Sequence, residues 1–517
     1  MAELNRAQRA AVEHGDGPLL VLAGAGSGKT RVITQRVASL IGRGVAAERI
    51  LAVSFTNKAA EELVERMVPL IGRPLARKIW MSTFHSFGLR FAQEEKQALK
   101  LGKRFVVFDQ GDSLGMVKEV LRELRMSGAA RKLDPMAILA RVSSWKSALV
   151  APDEVPESDF EYDDVAREVY PEYEARMRAM CALDFDDLCV LPVRALRQSK
   201  ALHQRWRDRF EHVLVDEFQD TSKVQLELCK LLANDRRNVC VVGDDDQSIY
   251  AFRGAEVGNI LDFDRHFGGA TIVKLEDNYR SREAVIAVAN AAIAQSQQRR
   301  HDKTLRAARG KGDKVRLCVC DDPADEAKLV AKEARELIAQ GRPPHEIAVL
   351  YRSNLQARPI EEELRLQGIE YQLFGGTRFF DRREVKDVVA YVRALLLPND
   401  EVSLRRVINQ PPRGIGPKTV ERIAAHAETL GVPFPRALAD AGNIADLSPQ
   451  VRASVTGFAA MLEKHRSRLK GGHTLAQITR ELAEDAGLRT HLTEDTEGGA
   501  AGPLRWANIE HLFGWIE

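Results

Sequence analysis

The sequence predicts an α/β fold: a doubly wound, parallel-sheet core with two mainly helical insertions. Three observations carry this. Short apolar runs bounded by turn or charged residues recur through the first two thirds of the 517 residues. Helical patterns, such as 29–41 and 59–67, lie between them, the alternation that a sheet covered on both faces requires. Two long stretches, 85–199 and the region after Gly375–Gly376, carry helical periodicity almost alone.

In chain order the predicted strands are 18–23, 50–55, 79–84, 212–216, 239–243, 271–275, 315–320 and 347–351. Each is a run of apolar residues, as expected of strands buried on both faces. The first helical stretch is expected to hold helices at 112–124, 164–181 and 192–209. The second holds them from 384–397 to 508–516. The polar segments 157–164 and 494–502 are expected to be exposed loops.

Composition excludes several classes. Apolar residues at 44% and charged residues at 29% describe a globular protein, neither disordered nor fibrous. With 76 Lys+Arg against 74 Asp+Glu the net charge is +2, which argues neither for nor against nucleic acid, because a basic groove can sit inside a neutral total. The six cysteines include no CxxC pair, so all are expected to be reduced thiols. The N-terminus lacks a signal-peptide pattern, and no apolar run approaches the ~18–20 residues of a spanning helix. A cytoplasmic protein without membrane association is expected.

The chemistry begins at residues 18–30, where an apolar run leads into Ala23-Gly24-Ala25-Gly26-Ser27-Gly28-Lys29-Thr30 and then Arg31. Strand, glycine-rich loop and helix start are what a phosphate-binding loop needs: backbone N–H groups curl around phosphate oxygens and the helix N-terminus adds positive potential. Lys29 supplies a mobile charge for the β and γ phosphates, and Thr30 a hydroxyl for Mg²⁺. Such a loop needs a carboxylate for the metal and another for water. The run ending at Asp216-Glu217 offers both: Asp216 for Mg²⁺, Glu217 to orient and deprotonate the attacking water.

Further segments complete a pattern. They are Leu4-Asn5 with Gln8, Phe55 to Ala60 including Asn57, Thr83-Phe84-His85-Ser86-Phe87, and Asp184 to Leu188. Beyond these come Asp216 to Thr221, Gly243 to Ala255, Asn278-Tyr279-Arg280-Ser281, and Leu350 to Asn354. In this order, and with the phosphate loop, the chain resembles the superfamily 1 DNA helicases of the UvrD/PcrA/Rep type, most of all the Rep branch.

The resemblance implies two RecA-like core domains with helical insertions. The first core would be 1–84 with 200–278, the first insertion 85–199, the second core 279–373 and the second insertion 374–517. It implies an ATP-dependent, Mg²⁺-requiring motor that moves 3′-to-5′ on single-stranded DNA and unwinds duplex at single-strand/duplex junctions. Replication or repair proteins as partners, and a homodimer on DNA, belong to the same expectation. Gln8 would read the adenine edge, Tyr279 stack on its face, and Arg280 touch the γ-phosphate. Phe55, His85, Tyr250 and Phe252 would stack on bases, a sequence-tolerant contact worth about 1–3 kcal/mol each. Many relatives carry Trp where this chain has Phe252. Gln247 would couple the γ-phosphate to that loop, and Asn57, Arg253 and Asn354 would contact the DNA backbone.

Near residue 413 the pattern Arg413-Gly414-Ile415-Gly416-Pro417-Lys418 reads as a helix-hairpin-helix turn, with Arg413, Gly414, Gly416 and Lys418 as a duplex-backbone clamp. Two later family motifs, one ending in a second arginine, are not found within 440–517. The expectation is therefore a C-terminally truncated chain with an incomplete second core domain. It would bind ATP and single strands but unwind poorly, an ATP-gated DNA-binding protein as the alternative reading.

Overall fold

The computed structural model describes residues 4–516 except 102–104, 125–132, 181, 297–300, 375–381, 398–399, 445 and 495–500. The expected Gly375–Gly376 boundary, Cys181 and most of the 494–502 loop lie outside the described residues. The chain divides into two compact units, 1–317 and 318–517.

The first unit is built on a parallel sheet. Its strands are β1 (Leu19–Ala23), β2 (Ile50–Ser54), β3 (Trp80–Thr83), β4 (Val106–Val107), β5 (Ala182–Leu183), β6 (His212–Val215), β7 (Val239–Gly243), β8 (Thr271–Leu275), β9 (Asp277–Asn278) and β10 (Arg306–Ala307). Six form the main sheet in the order β3-β2-β6-β7-β1-β8, and two-stranded ladders join β4 to β5 and β9 to β10. All pairings are parallel, with Leu20 opposite Val241 and Ala52 opposite Leu214. The inner strands β1, β2, β6 and β7 are buried at every residue, as their apolar runs require. At the edge, β8 is exposed over most of its length. Because the strands run parallel, the ends that carry Ala23, Ser54, Thr83, Val215 and Gly243 all open at the same edge of the sheet.

Two predicted strands are corrected. Among the described residues, 315–320 and 347–351 run without ladder partners. Leu317, Val319 and Leu350 are 92%, 91% and 90% exposed, whereas Ile347 and Tyr351 pack against the cluster of Ala327, Ala331 and Ile360. Hydrophobicity nominates a strand, but the ladder makes one.

Between β3 and β6 the chain is almost wholly helical: Phe84–Glu94, Gln110–Glu123, Pro135–Ser147, Glu161–Ala179, Asp187–Gln198 and Lys200–Arg209. The expected helix 192–209 is two helices, because Ser199 ends the first in extended conformation and caps Leu202 N–H of the second. Aromatic packing joins these helices to the sheet. Phe91 and Trp206 lie 4.6 Å apart, Trp80 and Phe210 5.5 Å, and the Arg90 guanidinium sits 3.7 Å above the Trp80 ring. Each fully buried ring contributes roughly 1.5–3 kcal/mol of transfer free energy. At Gly88 the helix Phe84–Glu94 meets Asp187–Gln198 backbone to backbone: a Cβ there would fall 1.6 Å from the Leu188 carbonyl oxygen.

The turn before Leu188 is held by a buried ion cluster. Lys146 Nζ is wholly buried, 2.7 Å from Asp184, 2.7 Å from Asp187 and 2.9 Å from Glu174. Asp184 and Asp187 also accept from each other's backbone N–H at 2.8 and 3.1 Å. Burial, with the Asp184 and Glu174 charges, pushes Asp187 up to about 7 against the pull of Lys146. An unfolded aspartate releases its proton near ~3.9. The stabilisation from this raised group is therefore full below about pH 4 and is lost as pH rises through 7. Asp187→Asn should remove that dependence, so the variant's Tm should gain on the parent's between pH 5 and 8. A difference flat with pH would mean that Lys146 keeps Asp187 ionised throughout.

The second unit is helical. Arg383–Leu396, Glu401–Val407, Pro417–Leu430, Pro449–Lys470, Leu475–Asp485 and Ala501–Ile516 surround a core containing Tyr391, Phe434, Phe458, Leu482, Ile509 and Phe513. A smaller cluster, Ala327, Ala331, Ala334, Ile360 and Leu364, joins the helices Pro323–Ala339 and Ala357–Leu366. Among the described residues five cysteines are free thiols, and no helix is long and apolar enough to cross a membrane.

Candidate nucleotide and single-strand site

The loop after β1 has the shape its glycines permit. Gly26 and Gly28 adopt φ of +70° and +93°, where a side chain would be strained. Ser27 Oγ donates to the Gly24 carbonyl at 2.7 Å, and the helix Lys29–Gly42 starts directly behind the loop. Its first-turn N–H groups have no carbonyl within the helix to bond, the arrangement that receives phosphate.

Gln8 is placed against this loop. Its Nε2 donates to the Ser27 carbonyl at 2.9 Å, and Arg36 fixes its helix by donating to the carbonyls of Ala11 and His14 at 3.0 and 2.8 Å. Tyr279 comes to the same place, its hydroxyl accepting from Asn5 Nδ2 at 2.9 Å. The segment with Arg280 lies along the loop: Tyr279 N–H donates to the Gly26 carbonyl at 2.9 Å, and Asn278 Nδ2 donates to the Ala25 carbonyl.

Lys29 reaches across to the end of β6, with Nζ 2.6 Å from Glu217 Oε2. Glu217 itself sits at φ +50°, a left-handed turn that swings its side chain back over the sheet edge. Asp216 is buried. Burial, and then the Glu217 charge, push its carboxyl up to about 6. A buried carboxylate carrying that penalty, beside a phosphate loop with Thr30 in the helix's first turn, is a donor set that fits Mg²⁺. Asp244, Asp245 and Asp246 also form a potential cation group, but Lys303 Nζ stands among them at 2.9, 2.6 and 2.6 Å and supplies the positive charge itself. Gln247 Nε2 donates to Asp244, so the expected coupling residue belongs to this turn.

The aromatic residues gather at neighbouring strand ends. Phe55 after β2 stacks on Tyr250 at 5.1 Å and 28°, and Tyr250 lies 6.0 Å from Phe252. Phe252 is 72% exposed, so it is no core residue. The Arg253 guanidinium stands 5.5 and 5.6 Å from the Tyr250 and Phe252 rings. Asn57 Oδ1 accepts from Thr83 and Ser86 hydroxyls at 3.3 and 3.2 Å, tying the Phe55 turn to the His85 helix. His85 meets Phe185 edge-on at 5.9 Å.

In the second unit Asn354 opens an exposed turn, its preceding Ser353 supplying the cap. Gly414, at φ +72°, and Gly416 have open space where a Cβ would point, and Lys418 is exposed. Arg413 is corrected. Its guanidinium donates to the carbonyls of Val407, Pro411 and Ala486 at 3.2, 3.1 and 2.9 Å and to the Tyr391 hydroxyl at 2.7 Å. With its donors committed inside the module, Arg413 braces the turn and does not present charge to a duplex.

Residues 4–268 match the family model described as UvrD/REP helicase N-terminal domain, and residues 273–440 match that described as UvrD-like helicase C-terminal domain. The chain belongs to the UvrD/Rep helicase family. It is 40% identical to ATP-dependent DNA helicase UvrD1 of Mycobacterium tuberculosis (strain ATCC 25618 / H37Rv), over 98% of this chain and 67% of that protein. To ATP-dependent DNA helicase PcrA of Bacillus subtilis (strain 168) it is 37% identical, over 99% of this chain and 69% of that protein.

Several members of the site were not singled out from sequence. Phe185, 53% exposed beside His85, lies within the Asp184–Leu188 segment, where the sequence alone gives its ring no role. Lys303 and Leu305 come from a stretch without motif character. Leu305 nonetheless packs onto the phosphate loop, its Cδ2 2.2 Å from where a Gly24 Cβ would be. Gln219 lies in the Asp216–Thr221 segment, and only its neighbours in space show its use.

Proposed function

We propose that this protein is an ATP-driven motor on single-stranded DNA, cytoplasmic, moving 3′-to-5′ and opening duplex at junctions during replication or repair. One observation carries the reading: a phosphate loop with its acidic partners and a row of exposed rings occupy adjacent strand ends of the same sheet. In this reading Lys29 and Arg280 hold the phosphates, Gln8 and Tyr279 the base, and Thr30 with Asp216 the metal. Thr30 and Asp216 would hold that ion, which when bound would supply positive charge against the charge developing in phosphoryl transfer. Glu217 takes the proton from the attacking water. Phe55, His85, Phe185, Tyr250 and Phe252 stack on bases, and Asn57, Arg253 and Asn354 meet the DNA backbone. The division into two core domains and two insertions, at the boundaries expected from sequence, is part of the proposal.

The test is ATPase activity with and without single-stranded DNA, beside unwinding of duplexes with a 3′ or a 5′ tail. DNA-stimulated turnover and opening of the 3′-tailed duplex alone are expected. A second reading, ATP-gated strand binding without unwinding, draws on the exposed apolar residues Leu317, Val319 and Leu350, which have no ladder partners among the described residues. Stimulated ATPase with neither duplex opened would select it; no stimulation would exclude both.

Phe252→Ala should weaken single-strand affinity roughly 5–150-fold, the equivalent of one lost stacking contact of about 1–3 kcal/mol. ATP affinity without DNA should not change. Fluorescence anisotropy on oligo-dT at fixed salt reads this directly, because phosphate contacts make affinity steeply salt-dependent. Unchanged affinity would remove Phe252 from the strand path.

A further inference from the structure

One buried side-chain amide joins the two halves of the site. Gln219 is 1% exposed. Its Nε2 donates to Glu217 Oε2 at 3.0 Å, the same oxygen that Lys29 Nζ approaches at 2.6 Å. Its Oε1 accepts the Asp244 backbone N–H at 3.0 Å. This orientation is dictated by the partners, since a carboxylate needs a donor and an N–H an acceptor. The Gln219 main-chain carbonyl also accepts from Ser248 Oγ at 3.3 Å. Residues 244–248 lead straight into Tyr250 and Phe252, and Lys303 pins the Asp244 carboxylate from the far side. The fit is close: a Cβ on Gly243 would stand 2.6 Å from Gln219 Oε1.

The amide has a second acceptor. Asp220 Oδ2 lies 3.4 Å from the same Nε2, and Asp220 Oδ1 has no hydrogen-bond partner among the described residues. A phosphate in the loop competes with Glu217 for the three donors of the Lys29 ammonium. Where Lys29 turns to the phosphate, Glu217 Oε2 loses a cation and keeps the amide. Any turn of that amide toward or away from Asp220 moves Oε1 relative to Asp244, because the two ends are one rigid plane. Buried polar groups tolerate no unpaired state cheaply, so the turn beginning at Asp244 must follow.

We propose that Gln219 is the positioning residue that couples the nucleotide site to the strand-stacking loop, through Glu217 on one side and Asp244 on the other. The inference rests on the functional reading above and deepens it. It predicts reciprocity: a bound ATP analogue changes single-strand affinity, and single strand changes analogue affinity, by the same factor.

The experiment measures that factor in the full chain, using oligo-dT and a non-hydrolysable ATP analogue, for the parent, Gln219→Met and Gly243→Ala. Methionine fills the space without either hydrogen bond, whereas Gly243→Ala displaces an intact Gln219. The parent is expected to show a coupling factor in the usual range of roughly 5–150-fold. Both variants should fall to within about twofold of unity while each still binds analogue and oligo-dT separately. A merely structural loss would lower both affinities and leave their ratio alone. Retention of the parent's factor by Gln219→Met, with its fold confirmed by thermal melting, overturns the inference and spares the motor. A parent with no coupling and no DNA-stimulated turnover overturns the motor and the inference together.

Discussion

Lys29→Ala is expected to lower DNA-stimulated ATP turnover by at least 10²–10³-fold, the usual loss when one preorganised charge facing the transition state is removed. The fold should survive. Lys29 is the first residue of its helix, and it pairs with Glu217, which keeps Gln219 as a partner when the lysine is gone. The shape of the loop is set by Gly26, Gly28 and the Ser27–Gly24 hydrogen bonds, none of which involves the lysine side chain. Steady-state turnover beside a thermal melt checks both halves. A variant that melts like the parent and turns over within a few-fold of it would remove the phosphate role of Lys29.

Glu217→Gln should lose about 10²–10⁴ in turnover, the range of general base catalysis, yet still bind ATP. The substitution is nearly isosteric and tolerates the same left-handed backbone. It also releases Lys29 from its 2.6 Å ion pair, which frees the ammonium for phosphate. Nucleotide affinity should therefore hold or rise while chemistry fails. Binding of a fluorescent ATP analogue, set against single-turnover hydrolysis, separates the two. Weak binding would show that Glu217 serves the ground state and not the water.

The four inner strands of the main sheet were legible because a buried parallel strand leaves an apolar run, and the edge strands β3 and β8 because apolar and β-branched residues dominate them; each run ended within a residue or so of its strand. The runs at 315–320 and 347–351 have the same composition and no ladder, since pairing depends on neighbours that a local pattern does not contain. The phosphate loop and Asp216-Glu217 were legible because their chemistry is compressed into a few contiguous positions. Arg413 was misread for the opposite reason: its partners Tyr391 and Ala486 lie far along the chain, and sequence shows a guanidinium but not whom it faces. Lys303 was invisible in the same way. A lysine between His301 and Leu305 looks like any surface residue until three aspartates surround it.

The backbone contact at Gly88 sets an asymmetry of stiffness. His85 stands one helical turn before Gly88, and Phe185 three residues before Leu188, so both rings hang from the two chains that touch there. No side chain lies between those chains to be compressed or to change rotamer, and the Lys146 cluster grips the turn that carries Phe185. The His85–Phe185 jaw is thus of fixed gauge: it widens only if whole helices shear. Tyr250 and Phe252 sit instead on a single-turn segment, tied down at its two ends by the Ser248 hydroxyl bond to the Gln219 carbonyl and the Glu256 N–H bond to the Thr221 carbonyl. A strand lying across both would be clamped on the rigid side and displaced on the compliant one. Stroke length would then be set by how far the compliant turn can travel, and slippage by how firmly the rigid jaw grips.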